Sequence, residues 1–192
     1  MKITTFLLKT VFSLLLSSSL FIAYAQNATA QYDALLNDAF PADGPGATAL
    51  VAKNGKIIYQ SAVGMADLEL GVKMKAGNVF EIGSVTKQFT SVCILMLMEE
   101  GKLAIEDEIT KFIPDYPTHG HKITIHHLLN HTSGIKSYTN MGAISDVWRK
   151  EHSPEELIKE FKFEPMEFAP GDAWNYNNSG YFLLGYIIEK IS

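Results

Sequence analysis

The sequence predicts an α+β fold: an antiparallel sheet flanked by helices, with a mostly helical subdomain from about Gly101 to Pro170. Three observations predict it. Two β-prone runs, Gly46 to Lys53 and Lys56 to Val63, close around Asn54-Gly55, the dipeptide that best suits a two-residue hairpin turn because both positions accept positive φ. From Ser84 the pattern turns helical: Phe89, Cys93, Leu95, Met96 and Met98 recur near helical spacing until Gly101 ends the run. A run so apolar is expected to be buried on most sides. Beyond Gly101 the chain reads as short helices punctuated by turn residues, with no alternating strand pattern.

Composition and the first residues bound what the chain is. It has 192 residues, 47% hydrophobic and 19% charged, with a formal net charge of -5 and no basic run. That is globular composition, and it argues against a phosphate-binding surface or a nucleic-acid partner. Lys2 and Lys9 form a positive n-region. Thr10 to Ala25 carries no charge and contains Leu14, Leu15, Leu16, Leu20, Phe21 and Ile22; Ala23-Tyr24-Ala25 then offers small residues where a signal peptidase reads. This predicts a secretory signal peptide over residues 1–25. The mature chain is expected from near Gln26, as part of a single domain over 26–192, in a periplasmic or extracellular space. Ser17-Ser18-Ser19 interrupt the apolar run, which is short for a membrane span; no stable span is expected after signal removal. Cys93 is the one cysteine, so an intramolecular disulfide is impossible. Its neighbours Val92, Ile94 and Leu95 predict a small core residue.

The remaining elements follow in order. Gln26 to Pro45 reads as a polar lead-in with a helix around Tyr32 to Ala39, and Gly64 to Asn78 as a connection. Ile109 to Phe112 reads as a short helix ended by Pro114. Thr124 is an N-cap for a short helix through Asn130. Ser153-Pro154-Glu155-Glu156 marks a helix start by cap, proline and acidic residue, with the helix running to about Phe161. Phe168 to Asn178 is loop-like around Pro170-Gly171. A last helix runs from Gly180 to Ser192, with Asn178 or Ser179 placed to cap it.

Two short segments carry chemistry. In Ser84-Val85-Thr86-Lys87 the serine and lysine stand three apart, on one face of a helix. A serine hydroxyl is a poor nucleophile until a base takes its proton, and a lysine one turn away can serve. Ser133-Gly134-Ile135-Lys136 has the same spacing, but Gly134 makes it a turn. In Tyr176-Asn177-Asn178, a phenol beside an ammonium loses its proton more easily and can act as acid or base, and an amide such as Asn178 can hold a lysine or a carbonyl.

In order, these segments resemble a known family. Phe80-Glu-Ile-Gly-Ser-Val-Thr-Lys-Gln-Phe-Thr90 resembles the nucleophile motif of class C β-lactamases and their penicillin-binding-protein, D-alanyl-D-alanine carboxypeptidase and esterase relatives. Ile125-His-His-Leu-Leu-Asn-His-Thr-Ser-Gly-Ile135 resembles the HLLxHTSG landmark, and Phe168 to Tyr181 the PG…YxNxGY segment, with Asn177 where the family more often has Ser or Ala. The resemblance implies an exported serine hydrolase with a β-lactamase/DD-peptidase-like fold. Ser84 would be acylated, Lys87 would activate it, Tyr176 would shuttle the proton, and Asn178 would contact the lysine and a substrate amide. It implies no metal or other cofactor, and a small-molecule or peptidoglycan-type substrate: a β-lactam, a D-amino-acid peptide or amide, or an ester. The family's third motif, Lys-Thr-Gly or His-x-Gly on a late strand, does not follow Tyr176. Lys53-Asn54-Gly55 has similar letters but is the hairpin turn. The sequence therefore reads as an N-terminal portion with the C-terminal strands missing.

Two alternatives stand beside this reading. Five of the six histidines fall between Thr118 and His131, and His127 and His131 are four apart, a spacing that can hold zinc on a helix. That would make a histidine-based metal-binding protein; in the hydrolase reading both histidines are structural and bond locally. The other alternative is a catalytically inactive binding domain on the same scaffold.

Overall fold

The structure is a computed structural model and describes residues 28–142 and 151–192. The expected signal peptide, 1–25, lies outside the described residues. The chain folds as two compact units that divide between Glu81 and Ile82.

In the first unit, helix α1 covers residues 28–39. Strands β1 (Ala47–Lys53) and β2 (Lys56–Val63) form the expected antiparallel hairpin, paired from Ala47 with Val63 to Lys53 with Lys56, with a register shift between Val51 and Ala52. Asn54 (φ 51°) and Gly55 (φ 73°) are both left-handed, as the tight turn between right-twisted strands requires. Tyr59 fastens the hairpin to α1. Its buried ring lies 5.1 Å from that of Tyr32, and its hydroxyl donates to Asp33 Oδ1 at 2.7 Å. The Gly64–Asn78 connection holds a small second pairing that the sequence did not suggest, β3 (Met65–Asp67) against β4 (Val72–Lys73). Two- and three-residue strands leave no periodicity to read.

The second unit is helical. A 3₁₀ turn, Gly83–Val85, opens into α2 (Thr86–Glu99). After a 3₁₀ turn at Ile109–Lys111 come α3 (Ile125–Leu129), a 3₁₀ turn at Tyr138–Asn140, α4 (Pro154–Phe161) and α5 (Asn178–Ile191). Capping boxes start α3 and α4: Thr124 with His127, and Ser153 with Glu156 behind Pro154. Helix α5 is the centre. Its Leu183, Leu184 and Ile187 are fully buried in one cluster with Ile94 and Leu97 of α2, Leu128 of α3, and Ile158 and Phe161 of α4.

Two expectations for α2 are corrected. Only Ile94 and Leu97 of this helix are buried, while Phe89, Val92, Leu95 and Met96 are exposed. Cys93, expected in the core, is exposed as well. The cause is geometric: α5 covers one side of α2, and the described residues of the unit offer the other sides no comparable partner. Among the described residues no helix is long and apolar enough to cross a membrane.

Candidate active site

The second unit brings together residues almost a hundred positions apart. Ser84 sits in the 3₁₀ turn that opens α2, and Lys87 lies one turn on, so the lysine Nζ reaches back to donate to Ser84 Oγ at 3.3 Å. The same Nζ donates to Asn178 Oδ1 at 2.7 Å, at the start of α5. Tyr176 Oη lies 2.6 Å from Ser84 Oγ, across 92 positions of sequence; the neutral phenol donates in this contact, and a phenolate would accept from the serine. Lys87 Nζ also lies 4.7 Å from the centre of the Tyr176 ring. All four residues singled out in the sequence thus meet at one point.

The local charge acts on the phenol. Burial pushes Tyr176 up, but its hydrogen bonds with Lys87 and Ser84 and the charge of the ammonium outweigh burial and leave it below the ordinary phenol value. A phenol held this way can take a proton from a neighbouring hydroxyl and return it. The arrangement is chemically capable of activating Ser84.

The loop carrying Tyr176 is fixed from both sides. Asn175 N–H donates to the His131 carbonyl at 3.0 Å, and Asn177 N–H donates to His131 Nδ1 at 3.1 Å. The Asn177 side chain accepts from Gly180 N–H and donates to the Ile135 carbonyl. Asn177 is therefore the N-cap of α5, which corrects the expectation of Asn178 or Ser179 in that role. The Ser179 hydroxyl instead donates to the Lys136 carbonyl. Gly134 has φ 71°, and a Cβ there would overlap the Phe168 carbonyl oxygen, so the turn that spoils Ser133–Lys136 as a dyad is also where the Phe168 loop packs. Lys136 pairs with Glu167 at 3.1 Å.

A cavity of about 370 Å³ opens beside the serine, with Ser84, Lys87, Tyr138, Thr139, Asn178 and Phe182 in its wall. Thr139 and Ser137, which the sequence reading missed, can be assigned by counting protons. Asn178 N–H donates to Ser137 Oγ at 3.1 Å, and Ser137 is fully buried, so its own proton needs an acceptor. Thr139 Oγ1 stands at 3.0 Å. Asn178 Oδ1 faces the lysine, so Nδ2 faces Thr139 and donates to Oγ1 at 2.9 Å. Both lone pairs of Thr139 are then occupied, and its own proton is left for an acceptor in the cavity. Only folding shows this, because nothing in Ser137-Tyr138-Thr139 marks a site.

Of the two histidines expected to bond locally, His127 does so, its Nδ1 accepting from Thr124 N–H within the α3 capping box; His131 does not, because its Nδ1 accepts from Asn177 N–H, 46 positions away. Among the described residues no three His, Cys, Asp or Glu side chains are grouped to hold a metal ion.

Similarity to known proteins agrees with a serine-hydrolase architecture. Residues 35–192 match the family model described as Beta-lactamase, and the chain belongs to that family. It is 37% identical to "Penicillin-binding protein 4*" of Bacillus subtilis (strain 168) over 76% of this chain and 32% of that protein. It is 32% identical to "Esterase EstB" of Burkholderia gladioli over 76% of this chain and 40% of that one. The octameric penicillin-binding protein homologue from Pyrococcus abyssi superposes with a TM-score of 0.67 and 35% identity, over 77% of this chain and 35% of the other. The chain spans about a third of the length of the curated relatives it matches. The β-lactamase/penicillin-binding-protein fold expected from the motifs is the fold of these neighbours.

Proposed function

We propose that this chain carries the nucleophile of an exported serine hydrolase that acts through an acyl-enzyme on Ser84. The observation that supports this most is the meeting of Ser84 Oγ with Tyr176 Oη at 2.6 Å and with Lys87 Nζ at 3.3 Å. The Ser84 oxygen attacks the carbonyl carbon of an amide, lactam or ester. Its proton passes to the Tyr176 oxygen in the ionised form that the Lys87 charge favours. The tetrahedral adduct collapses, the bond to the leaving group breaks, and Tyr176 returns the proton to the departing nitrogen or oxygen. Water then gives a proton to Tyr176 and attacks the ester; the bond to Ser84 Oγ breaks, Tyr176 passes that proton to the serine oxygen, and the acid is released. Asn178 keeps Lys87 on this side of the site, and the Thr139 hydroxyl donates to an acceptor on the acyl part lying in the cavity. The Ser84 N–H, at the start of its helix, is placed to help bear the developing negative oxygen.

Substrates are expected among β-lactams, D-amino-acid peptides or amides, and esters. The test is turnover of p-nitrophenyl esters, a chromogenic lactam and D-alanyl amides by the wild-type chain and by Ser84→Ala. Any substrate cleaved by the wild type is expected to be left intact by the variant; equal rates would contradict the role of Ser84.

A further inference from the structure

We propose that His131 is a positioning residue: its neutral ring locks Tyr176 against Ser84, and gaining a proton releases that lock. The inference deepens the proposed hydrolase reading and rests on it only where Ser84 reactivity is the readout.

Two bonds from one residue bracket the phenol. His131 ends α3 in the left-handed region (φ 63°), which turns its carbonyl and its ring toward the same incoming segment. The carbonyl accepts from Asn175 N–H at 3.0 Å and Nδ1 accepts from Asn177 N–H at 3.1 Å. Tyr176 lies between these two bonds, with its ring centre 4.7 Å from the imidazole. The Tyr181 ring lies 5.0 Å away and Trp174 meets the imidazole edge-on at 6.0 Å. His131 thus fixes the backbone on both sides of the phenol and packs its ring.

The bond to Asn177 also fixes the proton. A backbone N–H can only donate, so Nδ1 must be bare and the ring proton sits on Nε2. An imidazolium carries protons on both nitrogens and would set N–H against N–H, so the Asn177 bond fails. The titratable and charged groups facing His131 are Lys87 from α2, Tyr176 from the loop and Tyr181 from α5. Burial, then repulsion by Lys87, hold the imidazole below its ordinary value. The lock therefore holds at neutral pH and opens on the acid side.

The experiment uses the full chain and two variants. His131→Asn puts a residue at home in the left-handed region and offers Oδ1 in place of Nδ1, but it has no proton to gain; His131→Ala offers no acceptor. Ser84 acylation by a fluorophosphonate is timed from pH 5 to 9, and the Asn177 amide and His131 ring resonances are followed by NMR. The wild type is expected to lose rate below the imidazole midpoint, which lies under the ordinary imidazole value, by about a further tenfold per pH unit on top of the slope that Tyr176 ionisation sets, and the Asn177 amide is expected to shift with the same midpoint. His131→Ala is expected to be slowed at least about tenfold at pH 8. His131→Asn is expected to recover most of that loss and to keep only the Tyr176 slope. The same added fall in His131→Asn overturns the inference and leaves Ser84 standing. If Ser84 is never labelled, the hydrolase reading falls, and NMR alone decides the lock: an Asn177 amide that follows the imidazole supports it, and one that stays fixed overturns it.

Discussion

At the scale of single residues, reactivity turns on Tyr176. Its phenol is depressed because the nearby ammonium and hydrogen bonds favour the anion more than burial opposes it. A depressed phenol is more often ionised, so the rate of Ser84 acylation should rise with pH and level off at a midpoint under the ordinary phenol value. Replacing Tyr176 by Phe removes the base but keeps the ring against His131. We expect that variant to lose about 10²–10⁴-fold in acylation rate and to lose the alkaline rise; a stopped-flow ester assay across pH reads both. The sequence named Ser84, Lys87, Tyr176 and Asn178 because their motifs are local. It missed Asn177, Thr139 and the locking part of His131 because these act across about forty positions of sequence, as Asn177 does with His131 and Ile135 and Thr139 does with Asn178. It is the residue out of step with the family motif, Asn177, that caps α5 and ties the loop down.

At the scale of elements, helix starts were legible and helix environments were not. Thr124 and Ser153 cap where they were expected to, because a cap is chemistry within four residues. The Asn54-Gly55 turn was equally local. Helix α2 shows the limit: its apolar residues surround the helix, so hydrophobicity alone did not say which side α5 would take. The structure assigns that side to Ile94 and Leu97. Ile94 is fully buried and Leu95 is 43% exposed. Ile94→Ala should therefore cost about 2–4 kcal/mol by cavity formation, and Leu95→Ala within about 0.5 kcal/mol. Urea denaturation followed by circular dichroism measures both; equal midpoints would mean that α2 packs by another face.

At the scale of the whole molecule, the order of three motifs carried the family resemblance, and the family model over residues 35–192 places the chain in that family. Nothing in the motifs distinguishes a lactam from an ester. The relatives differ in the same way: one of them is named as an esterase and another as a penicillin-binding protein. Export is a proposal that rests on the pattern of the first 25 residues, and it is checked by N-terminal sequencing of the chain recovered from a secreting bacterial host. A start at Gln26 is expected; an intact leader in the recovered protein would contradict it.

The central claim, that Ser84 is an activated nucleophile, is tested most directly by treating the chain with a fluorophosphonate and mapping the adduct by mass spectrometry. A single adduct is expected on the peptide bearing Ser84, formed fastest above neutral pH and abolished by Tyr176→Phe at short times. An adduct on another serine, or labelling of Ser84 that is indifferent to Tyr176, would contradict the claim.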